Sequence, residues 1–158
     1  MKKLSTLICL IVMVSQWLVG CSSEKGVQFQ EFYSQVIGFS ENDEKSKPIP
    51  QDTILMMTNE EFKEFKDKYF TPREIPMESP DSEKAVLYLQ IPSPGSSVNE
   101  YRVESINMSG QTLTVNLIKT AVAQVDGISG FNGTWKWVMF IELDKTGLKD
   151  NMKVVVKE

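Results

Sequence analysis

The chain has 158 residues, a formal net charge of −4, no histidine, and two cysteines, Cys9 and Cys21. Without imidazole there is no ordinary general base near neutral pH, no Ser-His-Asp triad and no histidine metal site. A net acidic chain with no basic cluster is also a poor partner for nucleic acid, and no cofactor is expected.

The first element is a leader. Lys2 and Lys3 open it, residues 4–14 are apolar apart from Ser5 and Thr6, and Leu18-Val19-Gly20-Cys21 closes it before the polar Ser22 to Lys25. Basic, then apolar, then small residues is the order of a secretory signal peptide. The apolar run is shorter than the roughly 20 residues of a membrane span. An uncleaved anchor or an ordinary secretory cleavage site begins in the same way. The stretch LVGC resembles the lipobox of bacterial lipoproteins. That resemblance implies cleavage between Gly20 and Cys21 and a diacylglyceryl group on the Cys21 thiol. Two acyl chains, at about 0.8 kcal/mol per buried methylene, hold a protein stably where one does so only marginally.

The expected organisation is a signal peptide over 1–20, a tether over 21–26, and one β-rich domain over 27–158. The expected location is the extracytoplasmic face of a bacterial membrane, or the outer membrane where the envelope has one. Cys9 would leave with the leader, so the folded part has no disulfide despite an oxidising destination.

Residues 27–33 (VQFQEFY) partly alternate and predict a strand. Residues 40–52 are charged and carry Pro48 and Pro50, which predicts a loop. Its acids lack the order of a calcium loop. TILMM (53–57) predicts a short strand, and a helix follows at once. Thr58 and Glu61 have capping-box spacing, and Met57 and Phe62 occupy staple positions. Phe62, Phe65 and Tyr69 form one helical stripe, and Glu64 and Lys68 an i,i+4 pair.

Pro72, Pro76 and Pro80 punctuate a second loop. KAVLYLQI (84–91) is apolar on both faces, as in a buried central strand. PSPGSSVN (92–99) predicts a loop. Residues 100–106 and 112–118 alternate around a turn at Gly110, which predicts a hairpin with Leu113, Val115 and Leu117 inward. DGISGFNG (126–133) is a glycine-rich loop without phosphate-binding order. In TWKWVMFIEL (134–143), Trp135, Trp137, Met139, Ile141 and Leu143 share one face, and Val138 and Phe140 the other. Residues 152–158 predict a last strand. The fold class expected is α+β, a mostly antiparallel sheet, sandwich-like or curled, around one core, with one short α-helix near 59–69.

This order of a tether, a strand, the strand-to-helix unit TILMMTNEEFKEF, and a meander closing on WKWVMFIEL resembles the protease-complex-subunit (PrcB-like) family of bacterial envelope proteins. The similarity spans roughly residues 27–158. That family carries a Thr-Gly-Gly-Tyr turn after its central strand. Here PSPGSSVNEY stands in its place, with Tyr101 matching, Gly95 a loose counterpart, and no Gly-Gly pair. The resemblance implies a non-catalytic accessory protein that binds or stabilises a partner, a surface protease in the known case.

Binding is expected through the 92–99 and 126–134 loops, or by addition of a partner strand to an open edge. Gly95, Ser96, Tyr101, Phe131 and Trp135 are the candidate contacts, and Trp137 is expected in the core. A loop-presenting protease inhibitor is an alternative within the same class. A hydrolase would have to draw on Glu100, Glu104, Glu142 and Asp144. A carrier of a small apolar ligand is a further option.

Overall fold

The computed structural model describes residues 24–39, 48–70, 83–92, 97–124 and 134–158. In chain order its elements are β1 (Lys25–Gly26), β2 (Phe29–Phe39), β3 (Thr53–Met56), α1 (Asn59–Tyr69), β4 (Lys84–Pro92), β5 (Ser97–Ser109), β6 (Thr112–Gln124), β7 (Thr134–Asp144) and β8 (Lys153–Lys157). They form two four-stranded sheets, ordered β1-β5-β6-β8 and β2-β7-β4-β3. The α+β, mostly antiparallel architecture read from the sequence is therefore the one observed. It takes the sandwich form.

One pairing is parallel, β6 with β8. The chain leaves β6, crosses to the opposite sheet as β7, and returns as β8. Two reversals bring it back in the direction of β6. The β5–β6 hairpin closes on Gly110–Gln111, since Ser109 pairs with Thr112. Gly110 has φ 59 and no non-glycine residue among those described has positive φ. A positive φ at the first central position only is the pattern of a type II′ turn, whose twist suits a hairpin.

The chain also changes sheet near its start. Lys25 and Gly26 pair with Met108 and Asn107 of β5. Val27 N–H then donates to the Ile106 carbonyl, while the Gln28 carbonyl accepts from Asp144 N–H on β7. β1 and β2 are one extended run that switches sheets at Val27–Gln28. Lys25 and Gly26, expected within the tether, are instead part of the fold.

There are two cores, where the sequence predicted one. Leu87, Leu89, Met139, Ile141 and Leu143 of one sheet meet Val103, Ile106, Leu113, Val115 and Leu117 of the other. On the outer face of β4 and β7, Val86, Tyr88, Val138 and Phe140 are covered by α1 and the segments around it. β4 and β7 are buried on both faces, which is why their sequences read as nearly continuous apolar runs. Phe140 is the hub of the second core. Its ring centroid lies 5.2 Å from Tyr88, 5.5 Å from Phe70, 5.7 Å from Tyr33 and 6.0 Å from Phe62.

α1 begins as its sequence demands. Thr58 Oγ1 accepts from Glu61 N–H at 3.1 Å, and Glu61 Oε2 accepts from Thr58 N–H at 3.1 Å. The staple does not form as expected. Phe62 packs into the helix-side core, whereas Met57 packs against the core between the sheets. Nor does Lys68 turn to Glu64. Its ammonium lies 4.9 Å from the Tyr69 ring centroid.

Candidate binding surface

Gly20, Cys21, Gly95, Ser96 and Phe131 lie outside the described residues. The flanks of the two expected binding loops do lie within them. Pro92 pairs with Lys136, Ser97 with Gln124, and Phe39 with Thr134. These strand ends all lie at one end of the sandwich, opposite the Gly110 turn.

Tyr101 is not an exposed contact. It is 6% exposed, and its groups are committed to the scaffold. Its hydroxyl donates to Glu158 Oε2 at 2.6 Å and accepts from Asn99 Nδ2 at 3.3 Å. Burial pushes its phenol pKa up, and the Glu158 carboxylate adds to this. Its carbonyl accepts from Trp137 Nε1 at 3.0 Å. The strand register explains the burial. Alternation puts Tyr101 on the side of buried Val103, and a bulge between Glu100 and Tyr101 brings Val98 to that same side. Trp137 is buried, as expected, while Trp135 is half-buried and packs against the core between the sheets.

The edges of the two sheets are treated differently. Along β5, Glu31 Oε1 accepts from Val103 N–H at 2.6 Å, Trp137 takes the Tyr101 carbonyl, and Val27 and β1 take the stretch from Ile106 to Met108. Glu31 owes its reach to a bulge between it and Tyr33. The bulge also places consecutive Phe32 and Tyr33 against the same Phe140 ring. Side chains and a short strand thus close an edge that would otherwise template association.

Among the described residues, no strand pairs with the outer side of β3. Gln90 N–H donates to the Asp52 carbonyl. In the antiparallel register of β3 with β4, hydrogen-bonded and non-hydrogen-bonded pairs alternate. Ile54 and Met56 therefore turn their backbone groups to β4. Thr53 and Leu55 turn theirs outward, and among the described residues nothing hydrogen-bonds to them. The next outward N–H, on Met57, is taken by Glu61 Oε2 at 2.6 Å. Beside this edge lies a groove of about 420 Å³ between β3 and α1, lined by Pro50, Gln51, Ile54, Leu55, Phe65 and Tyr69 and by the charged Glu61, Glu64 and Lys68.

A buried glutamine holds the upper wall of that groove. Gln90 is 3% exposed. Its Nε2 donates to the Ile49 carbonyl at 2.8 Å, Asp52 Oδ1 at 3.0 Å and the Gln51 carbonyl at 3.1 Å. Its Oε1 accepts from the Tyr88 hydroxyl at 2.9 Å. Lys136 lies nearby, 3.9 Å from Asp52 and 5.5 Å from the Phe39 ring centroid. Burial draws its ammonium pKa down, and Asp52 opposes this.

The sequence placed a strand at 53–57 but did not show that no described strand pairs with its outer side. Its brevity and the flanking Pro48 and Pro50 are the signals that mark an edge strand. Among the described residues no group of three Asp or Glu side chains is placed to hold a metal ion. No protein-family model, curated protein or solved structure matches this chain.

Proposed function

We propose that this chain is a non-catalytic binding module, tethered by a lipidated Cys21 at the extracytoplasmic face of a bacterial membrane. It takes an extended segment of a partner protein as an added strand on β3. The observation that carries this reading is the outward backbone of Thr53 and Leu55 beside a groove of mixed apolar and charged lining. Main-chain pairing supplies affinity in such a mode, and pockets for alternate side chains supply selectivity. Ile54 and Leu55 point to opposite faces of the edge, one toward each core. The added segment is therefore one with apolar residues on both faces.

The resemblance of the sequence to the PrcB-like family supports an accessory role, with an envelope protease as the class of partner. The carboxylates a hydrolase would draw on are spread over the two sheets, and Glu142 and Asp144, two apart on β7, share a face. Glu104 lies on the outward face of β5 and Glu142 on β7 of the other sheet, with Leu143 turned to the core between them.

The test is a photoreactive residue in place of Thr53, activated on intact cells, followed by identification of what is joined to it. A discrete adduct is the expected result, and the partner so identified should no longer co-purify with the Thr53→Pro protein. That substitution removes an outward N–H, so the β3–β4 ladder keeps its bonds, and stability should change by less than about 1 kcal/mol. A second reading, a domain that presents its far end to a protease cleft, is favoured by the convergence of Pro92, Ser97 and Thr134. Adducts from position 134 in place of position 53 would select it.

A further inference from the structure

The chain enters its fold at one end of the sandwich. Lys25 and Gly26 pair with Met108 and Asn107, beside the Gly110–Gln111 turn. The 145–152 connection lies at the same end, because Asp144 pairs with Lys84 and Lys153 with Thr112. Gly147 of that connection packs on the hairpin so closely that a Cβ there would sit 2.8 Å from Met108 Cε. The opposite end is a full β5 away. Its 13 residues, at ~3.4 Å each, span roughly 40 Å.

We infer that the hairpin end, with Lys25, Gln111 and the 145–152 connection, is apposed to phospholipid headgroups, and that the Pro92–Thr134 end is presented outward. The inference rests on the lipid-anchor reading of Cys21. Only four peptide units separate Cys21 from Lys25, and they reach ~14 Å at most. That is about a third of the strand length, so the tether confines one end of the sandwich and leaves the other to stand away. Lys25, Lys84, Lys145, Lys149 and Lys153 cluster here, but Glu24, Glu83, Asp144 and Asp150 lie among them. The charges nearly balance, so the short tether and not electrostatic attraction sets the orientation. β3 then stands at mid-height, and a strand added to it runs along the membrane normal.

The full chain, expressed in a bacterial host and reconstituted in phosphatidylcholine vesicles with nickel-chelating headgroups, tests this. Gln111→Cys and Thr134→Cys place a nitroxide at either end, both at exposed positions. An acylated Cys21 does not react with the label. Spin relaxation by the headgroup nickel should be several-fold stronger at 111 than at 134. Inserting about twelve Gly/Ser residues after Ser23, an added span of ~20 Å, should weaken relaxation at 111. Equal relaxation at the two positions, or no effect of the insertion, overturns the orientation while leaving the anchor in place. Failure of the unlabelled protein to float with vesicles overturns the anchor, and the orientation with it.

Discussion

Gln90→Leu is a sharp test of how the groove wall is held. The substitution keeps the volume and deletes every polar contact of the side chain. Gln51 and Asp52 are exposed and regain water. The Tyr88 hydroxyl and the Ile49 carbonyl belong to residues that are 0% and 2% exposed, and they lose their partners. Two such buried orphans cost ~1–3 kcal/mol each. The added apolar burial returns about 1–2 kcal/mol, leaving a net loss on the order of 3 kcal/mol. At this chain length each kcal/mol moves the midpoint by roughly 3–5 °C, so a fall of ~10 °C is expected. Thermal unfolding followed by the fluorescence of Trp135 and Trp137 measures the midpoint, and urea unfolding the free-energy loss. In a Tyr88→Phe background one orphan is already gone, so Gln90→Leu should cost ~1 kcal/mol or more less than in the parent. Strictly additive losses, or a single-variant loss below about 1 kcal/mol, would refute the proposed linkage. The same variant should weaken capture at Thr53, since Pro50 and Gln51 line the groove that Gln90 anchors.

Tyr88 gives a pH prediction. Burial, with Asp52 and Tyr33 adding, holds its phenol far above the ordinary 10.0. The neutral form is favoured in the fold, so this contribution to stability is whole below pH 10 and is lost as pH rises above it. In a phenolate absorbance titration, one tyrosine should ionise only together with alkaline unfolding, and Tyr88→Phe should remove that component. Glu31→Ala strips the acceptor from Val103 N–H. It should cost about 1–3 kcal/mol and, by opening the β5 edge, raise self-association in light scattering. Gly147→Ala meets a φ of 88° and the Met108 side chain. A loss of about 1–2 kcal/mol in thermal unfolding is expected from the left-handed conformation alone.

The sequence was informative wherever one segment carries its own determinants. Thr58 and Glu61 define the start of α1 without reference to the rest of the chain. β4 and β7 declare burial on both faces because Val86, Tyr88, Val138 and Phe140 are as apolar as their neighbours. What it withheld depends on partners distant in the chain. Period-two alternation does not say which sheet a strand joins, so the switch at Val27–Gln28 was not visible. β2 was read only to Tyr33 because the bulge at Phe32 breaks the phase and Ser34 and Gln35 follow as two exposed polar residues. Alternation puts Tyr101 on the face of Val103, and that face is the buried one, but the loop resemblance pointed to a surface contact. That no described strand pairs with the outer side of β3 is a property of sheet order, and sheet order comes from pairings across residues 53 to 144.

The passage of β1 into β2 has a mechanical consequence. If a partner pulls on the far end while lipid holds the near end, tension enters at Lys25 and runs into β2. β2 is locked to β7 from Phe29–Leu143 to Phe39–Thr134, and the load lies along these strands. Such a geometry strains the rungs together in shear and does not peel them one after another. Pulled from its N-terminal end along the strands, the domain thus resists in its stiffest direction.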